Sequence, residues 1–548
     1  MPSTSPRVSL APATRRYRRR NFPALCLAIG LVGACCLPSA AGARPWFDEQ
    51  GPTAAARQAF AVLSGAAADG LEARDYGVEQ WRQRIDGAGG GSTWTEETIA
   101  RLDDALNTSI RRYLADLHAG RVDPRALGAK YTPNAAGDFD PDSLLSSALA
   151  DDRLADLARS AAPRWPQYGR LRKSLADYRE LAGNPAWQRE LPQLPAGRLT
   201  PGQAYAGSAQ LAQRLILLGD LAPGSAPPPR PERYEGNLVE GIKSFQQRHG
   251  LMVDGVIGKE AFAQLKVSPE ARAGQIELAL ERLRWTPLPA RRAVVVNVPE
   301  FMLYTYDLGA QRIEPGLAMR VIVGDARKTR TPLFDAEMRF VEFSPYWNIP
   351  PSITRGETLP RLRRDPGYFD RQGFELVTGD GRVIAGLPEG SLDALERGQM
   401  RIRQRPGAGN ALGDIKFVFP NSEHIYLHHT PTPQLFKRDR RDFSHGCIRV
   451  EAPLELARFV LADEPEWSRE RIVQAMRKGK STTVRLKEAL PVVIAYSTAA
   501  VRDGRVHFFP DLYDRDKALR DALRERSIAV RAAAEASPPI AIDVKSAD

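Results

Sequence analysis

The sequence is poor in cysteine. Only four cysteines occur among 548 residues, and three of them, Cys26, Cys35 and Cys36, lie in the N-terminal segment. If that segment is removed, Cys447 is the only thiol left, so no disulfide framework within one chain is expected. A lone thiol in an oxidising compartment is either a small core residue or a reactive group kept for chemistry.

Long apolar runs are also scarce, and the one clear example lies at the N-terminus. Arginines between Arg15 and Arg20 precede an apolar run from Phe22 to Leu37, and the small residues Ala41-Gly42-Ala43 follow it. The run is shorter than the roughly 20 residues that a spanning helix needs. The pattern predicts a secretory signal peptide over residues 1–43, and therefore an exported protein of the periplasm or cell envelope.

Two variants of export remain open. Val32-Gly33-Ala34-Cys35 resembles a lipoprotein cleavage box, and Arg19-Arg20-Asn21-Phe22 faintly resembles a twin-arginine signal. Membrane attachment through the signal segment or through lipidation at Cys35 is therefore an alternative to a soluble mature protein.

The excess of positive charge is small. Lysine and arginine number 77 against 66 aspartates and glutamates, a net charge of +11, and cleavage after Ala43 removes six arginines and no acid, which leaves +5. This excess suits an anionic envelope polymer or a membrane surface. The basic residues are not clustered and no nucleic-acid module is evident, so a nucleic-acid partner is not expected.

The length predicts about three domains, since single cores rarely grow past about 250 residues. From Thr53 to about Leu194 the pattern is helical, clearest between Thr95 and Leu117, where apolar residues recur at spacings of three and four. Thr93 with Glu96 offers a capping box and Gly120 a C-terminal stop. We interpret residues 44–198 as a helical scaffold domain.

The scaffold shows no catalytic pattern. The carboxylates Asp103, Asp104 and Asp116 are expected on a solvated helix face, and His118 and His249 on the surface.

A compact module is predicted over residues 199–268. A helix from Leu238 ends in Phe245-Gln246 with Gly250-Leu251 beyond, and Asp254-Gly255-Val256-Ile257-Gly258 follows. Gly250 and Gly255 permit left-handed turns between short helices. The segment closely resembles the small three-helix peptidoglycan-binding domain, and whether it contacts glycan or serves only as a spacer stays open. Its expected core is Ile242, Phe245, Leu251, Ile257, Phe262 and Leu265.

A linking helix, predicted from Glu270 to Trp285 within residues 269–289, is expected to pack back on the scaffold and make the module an insertion. From residue 290 to 526 the pattern predicts a mixed sheet or sandwich, with residues 527–548 as a mobile tail. The predicted strands are 293–298, 301–306, 319–324 and 338–343, and helix-like stretches cover 392–399 and 454–461.

Histidines gather beside the remaining thiol. Four of the seven histidines fall between His424 and His445, and His428 lies at the end of a predicted strand, 19 residues before Cys447. A thiol with a pKa near ~8.5 is mostly protonated at neutral pH, so a nucleophilic cysteine needs a partner that takes its proton. We predict that His428 faces Cys447 across neighbouring strands. Gly446 frees the adjoining backbone, so the amides of Gly446 and Cys447 are expected to face a developing oxyanion.

These residues resemble the L,D-transpeptidase catalytic domain of the YkuD type. Its signature, a histidine, 14–17 residues and then Ser/Thr-His-Gly-Cys-x-Arg/Asn, is matched by His428, fifteen residues, and Ser444-His445-Gly446-Cys447-Ile448-Arg449. Segment 403–413 resembles the R-Q-x-P-G…N-A-L-G strand entry of the same family, and segments 346–353 and 362–368 are similar to the larger YcbB-like subgroup. The resemblance implies a multidomain α+β protein: a helical scaffold, the small peptidoglycan-binding module, and a β-rich catalytic domain with a capping insertion at 354–401.

The resemblance also implies roles. Cys447 attacks the carbonyl at the L-centre of the diamino acid at stem-peptide position 3 and releases D-alanine, with His428 as the base. The carbonyl of His429 holds the second nitrogen of His428, where the family more often has a small residue or Asp. Supporting roles near the nucleophile or the oxyanion fall to Ser444, His445, Gly446 and Arg449, and substrate binding to Tyr346, Trp347, Asn348 and Arg403. Peptidoglycan stem peptides are the expected partners, with no metal and no cofactor.

Other interpretations of Cys447 and its neighbouring histidines explain less of the pattern. An inert core thiol would leave the histidine spacing unexplained. A zinc site from His424, His428, His445 and Cys447 uses the right ligand types, but His424 and His428 lie far apart along a strand pattern. An L,D-carboxypeptidase would use the same acyl-enzyme with water as the acceptor, and a wall-binding scaffold would need only the module. The cap favours transfer because it excludes water, and the Cys447–His428 pair argues against a mere scaffold.

Overall fold

The computed structural model describes residues 46–86, 93–132, 139–225, 230, 232–289, 291–307 and 315–536. The predicted signal peptide, with its three cysteines, lies outside the described residues. None of the helices in the described ranges combines the length and the apolar character needed to cross a bilayer.

The scaffold region is helical, as the pattern predicts. Its longest helix does not begin at the expected capping box, because Thr95 is the N-cap and its hydroxyl accepts the Thr98 amide. Gly120 ends that helix with φ 84°. The helices are α1 Ala54–Ser64, α2 Val78–Asp86, α3 Glu96–Ala119, α4 Pro141–Ala150, α5 Leu154–Ala161 and α6 Pro166–Ala182, with short strands β1 Phe47–Asp48, β2 Gly51–Pro52 and β3 Ala129–Lys130.

Two of the three carboxylates expected on a solvated face are buried instead. Asp103 accepts the amides of Trp46 and Phe47 at 3.1 and 3.0 Å. Asp116 accepts the Tyr76 hydroxyl at 2.9 Å. The prediction was wrong because the donors come from distant parts of the chain, which the periodicity of one helix cannot show.

The module has the predicted core and turns, with Gly250 and Gly255 at φ 61° and 71°. The surface position predicted for His249 is wrong, since it is only 2% exposed and its ring stacks on Phe245, 3.8 Å between centroids. Its helices are α7 Ser208–Leu217, α8 Asn237–Arg248 and α9 Lys259–Leu265.

The module packs against the segment that contains Arg505 and Val506. The Arg248 guanidinium donates to the Val506 carbonyl at 2.7 Å and to Asp220 at 2.9 Å, and this pair is almost fully buried. Arg505 also pairs with Asp220. Buried charges of this kind are geometrically demanding, so they hold the module in one orientation.

Helix α10, Pro269–Trp285, joins the scaffold to the sheet. It packs on α6, as expected, and carries Glu281, which is 0% exposed and binds Arg121 and Arg284. Apolar residues of the scaffold, of α10 and of the β-rich region form one continuous core. The scaffold is therefore not an independently packed domain.

The β-rich region is a mixed sheet that closes on itself. Its strands are β4 Ala293–Asn297, β5 Met302–Tyr306, β6 Pro315–Gly324, β7 Leu333–Phe343, β12 Ile415–Val418, β13 Leu427–His428, β14 Asp442–Ser444, β15 Ile448–Val450 and β16 Thr482–Ala495. Along the sheet the order is β12-β13-β15-β6-β5-β4-β16-β7-β3, and β12 also pairs with β7. Strand β14 pairs with β6 outside this order. Helices α15 Pro453–Val460 and α16 Arg469–Arg477 follow β15, and the hairpin of β17 Ala499–Arg502 and β18 Arg505–Phe508 follows β16.

The predicted capping insertion falls in a small unit with its own sheet and apolar core. The sheet order is β10-β9-β11-β8. Its elements are β8 Trp347–Asn348, α11 Pro351–Ile353, a π-helical turn Thr354–Thr358, α12 Leu359–Arg364, α13 Tyr368–Arg371, β9 Phe374–Thr378, β10 Val383–Ile384, α14 Ser391–Glu396 and β11 Met400–Gln404. The predicted multidomain α+β class, with helical region, small module and mixed sheet, is confirmed.

The C-terminal segment differs from the prediction of a mobile tail from residue 527. Helix α17, Arg515–Ala536, runs through that position, and the Ser527 hydroxyl donates to buried Asp75 at 2.5 Å. An Ala-rich composition is compatible with either a helix or a flexible tail. The hydrogen bond to Asp75, which lies far away in the sequence, favours the helix.

Replacing Glu281 tests the charged junction between scaffold and α10. Glu281→Leu leaves the buried Arg121 and Arg284 without their carboxylate, so we expect a loss of about 3–5 kcal/mol in the free energy of unfolding by urea. Asp177→Asn removes the exposed pair with Lys173 and should leave the unfolding curve unchanged. A Glu281→Leu curve that overlays the wild-type curve would contradict the assignment.

Candidate active site

Two short parallel strands place the predicted nucleophile and base. Strand β13 pairs with β15 so that Leu427 lies opposite Ile448 and His428 opposite Arg449. Side chains alternate along strands, so His428 and Arg449, which lie opposite each other, project from the same face of the sheet. Cys447 directly precedes β15 and Tyr426 directly precedes β13. That the Cys447 thiol faces His428 stays a prediction.

The thiol of Cys447 is partly exposed and rests against main chain. Its Sγ lies 3.8 Å from the carbonyl oxygen of His424. Burial raises the pKa of the Cys447 thiol, and the neighbouring Tyr426 hydroxyl and the charges of Lys416 and Arg449 partly oppose that effect. The hydrogen bonds described for the thiol do not include one to His428.

His428 is held as a neutral imidazole. It is 4% exposed, and its Nδ1 donates to the main-chain carbonyl of His429 at 2.5 Å. Burial, followed by the positive charge of Arg449, lowers the pKa of His428 to about 3. With Nδ1 as the donor, Nε2 is the basic nitrogen.

Ser444 holds the turn Ser444–Cys447, called here the nucleophile turn because it carries the predicted nucleophile. The Gly446 amide donates to Ser444 Oγ at 3.1 Å, and Ser444 Oγ donates to the Cys447 carbonyl at 2.5 Å. Thr331 Oγ1 donates to the Gly446 carbonyl at 2.8 Å, and Gly446 has φ 113°. The expectation that the Gly446 amide faces an oxyanion is therefore wrong, because that amide is already bonded, and the Cys447 amide is the candidate that remains.

The other two histidines of the motif point elsewhere. His429 accepts the Asp414 amide at Nδ1, at 3.3 Å, and its ring packs over Gly413, where an added Cβ would come within 2.5 Å of it. His445 is exposed, and its Nε2 lies 2.6 Å from Oε1 of Glu357 in the π-helical turn of the cap. His445 therefore connects the nucleophile turn to the cap.

The predicted substrate-binding residues lie together at the base of the cap. Arg403 lies 4.0 Å above the Tyr346 ring and pairs with Glu375. Trp347 packs against the cap core, and Asn348 is exposed opposite Arg403. None of the contacts described for these side chains reaches Cys447 or His428.

Asn410 links the segments that carry Tyr346 and Arg403 to the segment next to His428. It is 1% exposed, its amide donates to the carbonyls of Pro345 and Arg405 at 3.1 and 2.9 Å, and its oxygen accepts the Leu412 amide at 2.8 Å. The Leu412 carbonyl in turn favours the charged form of His428.

Sequence reasoning missed four side chains that shape the site: Tyr426, Thr331, Glu357 and, as a charge, Lys416. Lys416 Nζ lies 4.4 Å from the Tyr426 ring centre and 3.3 Å from Glu342. Alternation along the strand could have found Tyr426, two residues before His428. Thr331 and Glu357 lie 116 and 90 residues before Cys447 and carry no local signal.

The four residues weighed as zinc ligands do not converge. His428 Nδ1 and His445 Nε2 are engaged by His429 and Glu357. Across the described ranges, no group of three or more His, Cys, Asp or Glu side chains is arranged to hold a metal ion.

Comparison with known proteins agrees with this geometry. Residues 291–494 match the model of the YkuD family, described as "L,D-transpeptidase catalytic domain", residues 41–175 match "Scaffold domain", and residues 206–265 match "Putative peptidoglycan binding domain". Residues 291–494 are thus similar to YkuD-type catalytic domains. Both Cys447 and His428 lie inside the matched range.

A curated relative is similar over part of its length. The "Putative L,D-transpeptidase" of Haemophilus influenzae is 32% identical over 247 residues, which cover 45% of this chain and 48% of the relative. The match thus spans about half the length of that protein.

The protonation states of Cys447 and His428 can be measured. With a raised thiol pKa and a histidine that stays neutral above about pH 3, iodoacetamide should alkylate Cys447 at a rate that climbs through the alkaline range, with no step near pH 6.5. The rate is followed by mass spectrometry from about pH 5 to pH 10. A plateau reached below pH 7 would show a thiolate–imidazolium pair instead.

Proposed function

We propose that this protein is an exported peptidoglycan L,D-transpeptidase that forms an acyl-enzyme on Cys447. The observation that carries the proposal is the parallel pairing that sets a buried, neutral His428 opposite Arg449, two residues after Cys447, within the range that matches a YkuD model. A neutral imidazole can accept the thiol proton, which is the chemistry that a raised thiol pKa demands.

The donor in this proposal is a tetrapeptide stem. Sγ attacks the carbonyl at the L-centre of the position-3 diamino acid while its proton passes to Nε2 of His428. The Cys447 amide stabilises the oxyanion. The C–N bond to D-alanine then breaks, and the imidazolium gives its proton to the leaving amine.

Transfer completes the cycle. The amine of a second stem peptide attacks the thioester, His428 takes the proton of that amine, and the thiol leaves with a proton from His428. The product is a 3-3 cross-link, and the resting thiol and neutral imidazole are regenerated. D-alanine is the expected small product, and the site of action is the cell envelope.

Arg449 lowers the basicity of His428. Its charge lies level with His428 and destabilises the imidazolium, and its buried Nε has no hydrogen-bond partner among the described residues. A substrate carboxylate that pairs with Arg449 would neutralise that charge and raise the pKa of His428. Base strength would then be gained only when the donor is bound.

The cap supports transfer over hydrolysis. Glu357 binds His445, two residues from the nucleophile, so the cap is held against the turn that carries the thiol. A covered thioester is shielded from water until an acceptor amine enters. L,D-carboxypeptidase activity is the second candidate, since it uses the same acyl-enzyme.

Purified protein incubated with tetrapeptide muropeptides tests these roles. Wild type should give cross-linked dimers by mass spectrometry, a carboxypeptidase would give tripeptides, and a scaffold would give no product. Cys447→Ala should abolish product and acyl-enzyme, and His428→Ala should slow acylation by about 10²–10⁴-fold. Residual Cys447→Ala turnover above roughly a hundredth of wild type would remove the nucleophile from Cys447. Normal acylation by His428→Ala would remove the base from His428.

The Glu357–His445 contact can be tested separately. Glu357→Ala should raise the ratio of tripeptide to dimer several-fold, because a loosened cap admits water to the thioester. Glu396→Ala is the matched control, since Glu396 is also a cap carboxylate but pairs with Arg363. An unchanged product ratio in Glu357→Ala would exclude a role of this contact in protecting the acyl-enzyme.

A further inference from the structure

A groove of about 1040 Å³ lies between the peptidoglycan-binding module and the catalytic sheet. The module contributes the loop Gly250–Val253 and side chains of α9, and the sheet side contributes Phe301 and the loop Arg438–Phe443. The volume is at the upper limit of small-molecule sites, which indicates an extended occupant.

Exposed apolar side chains gather along this groove. Met252 and Val253 on the module wall are 62% and 51% exposed, and Phe443 on the other wall is 41% exposed. Six large apolar side chains are exposed in the described part of the chain, and these three share one groove. Such clustering marks a binding surface, whereas single exposed apolar residues do not.

The groove also carries both signs of charge. Arg441 is 8% exposed and donates to main-chain carbonyls, and neither it nor the exposed Arg327 and Arg438 makes an ion pair within the described residues. Glu260 and Asp439 lie on the rim. An occupant with several carboxylates and an amine is therefore complementary.

The two walls are fixed relative to each other. The buried contact of Arg248 with Asp220 and the Val506 carbonyl holds the module against the β-rich region. Phe443 lines the groove and directly precedes Ser444, whose hydroxyl donates to the Cys447 carbonyl.

We propose that this groove binds a peptidoglycan strand, with sugar faces on Met252, Val253 and Phe443 and stem-peptide carboxylates at the exposed Arg327 and Arg438. This assignment rests on the proposed function and extends it, since it makes the module and the catalytic domain one composite binding surface. The CH faces of sugars pack on apolar side chains, and carboxylates pair with guanidinium groups.

Retention by purified sacculi tests the apolar wall. In the Cys447→Ala background, Met252→Ser with Val253→Ser should weaken retention in a pelleting assay by about tenfold, because both side chains lose apolar contact area. Leu144→Ser with Ile528→Ser is the matched control, since both residues are exposed apolar residues outside the groove, and it should bind as the parent does. Equal retention by the two double variants would overturn the proposal.

The charged wall is tested with sacculi stripped of stem peptides by an amidase. Arg438→Gln should weaken retention by intact sacculi several-fold and leave retention by stripped glycan unchanged. An equal loss on both, or no loss, would overturn the assignment of the arginines to stem-peptide carboxylates. Retention is measured without turnover, so a wild-type enzyme that forms no product from muropeptides would refute the proposed function without deciding this one.

Discussion

The parallel pairing of β13 with β15 is the contact on which the site depends. It joins Leu427 to Ile448 and His428 to Arg449, and so sets which side chains share a face with His428. Because side chains alternate along a strand, a slip by one residue would send His428 to the opposite face. Two flanking strands prevent that slip, since β12 pairs with β13 on one side and β6 with β15 on the other.

The rest of the fold secures this register. The sheet closes through β7 and β12, and its core continues into the scaffold through α10. Thr331, two residues before β7, donates to the Gly446 carbonyl and so joins the closed sheet to the turn that carries Cys447. The module is not a loosely tethered domain, because its buried Arg248 is bonded to the Val506 carbonyl. Removing the module would leave the Val506 carbonyl and Arg505 without their partners Arg248 and Asp220, so surface substitutions test its role better than deletion does.

Much of this organisation was predictable from local pattern. The four strands expected, the module core and the αL glycines follow from short-range periodicity and from motif spacing. The pairing of His428 with Cys447 stays a prediction. The burial of Asp103, Asp116 and His249 was not predictable, because each is buried by residues far away in the chain. The same limit applies within the site. Ser444 and Gly446 could be placed near the nucleophile, but the bond between them, which occupies the Gly446 amide, depends on the turn that only the folded chain adopts.

The electrostatics of the site also follow from long-range packing, and they set how such an enzyme can work. A buried imidazole beside an arginine is a weak base, and a buried thiol is a weak acid, so the resting pair stays neutral. A neutral pair costs less to bury than a thiolate–imidazolium pair would, which suits a partly enclosed thiol. The same state reacts slowly with adventitious electrophiles, because the thiolate is the nucleophilic form. In the proposed mechanism the donor supplies a negative charge, because one of its carboxylates pairs with Arg449. That carboxylate would offset the charge of Arg449 and raise the pKa of His428. Recognition of the stem peptide would thus be coupled to activation of the thiol.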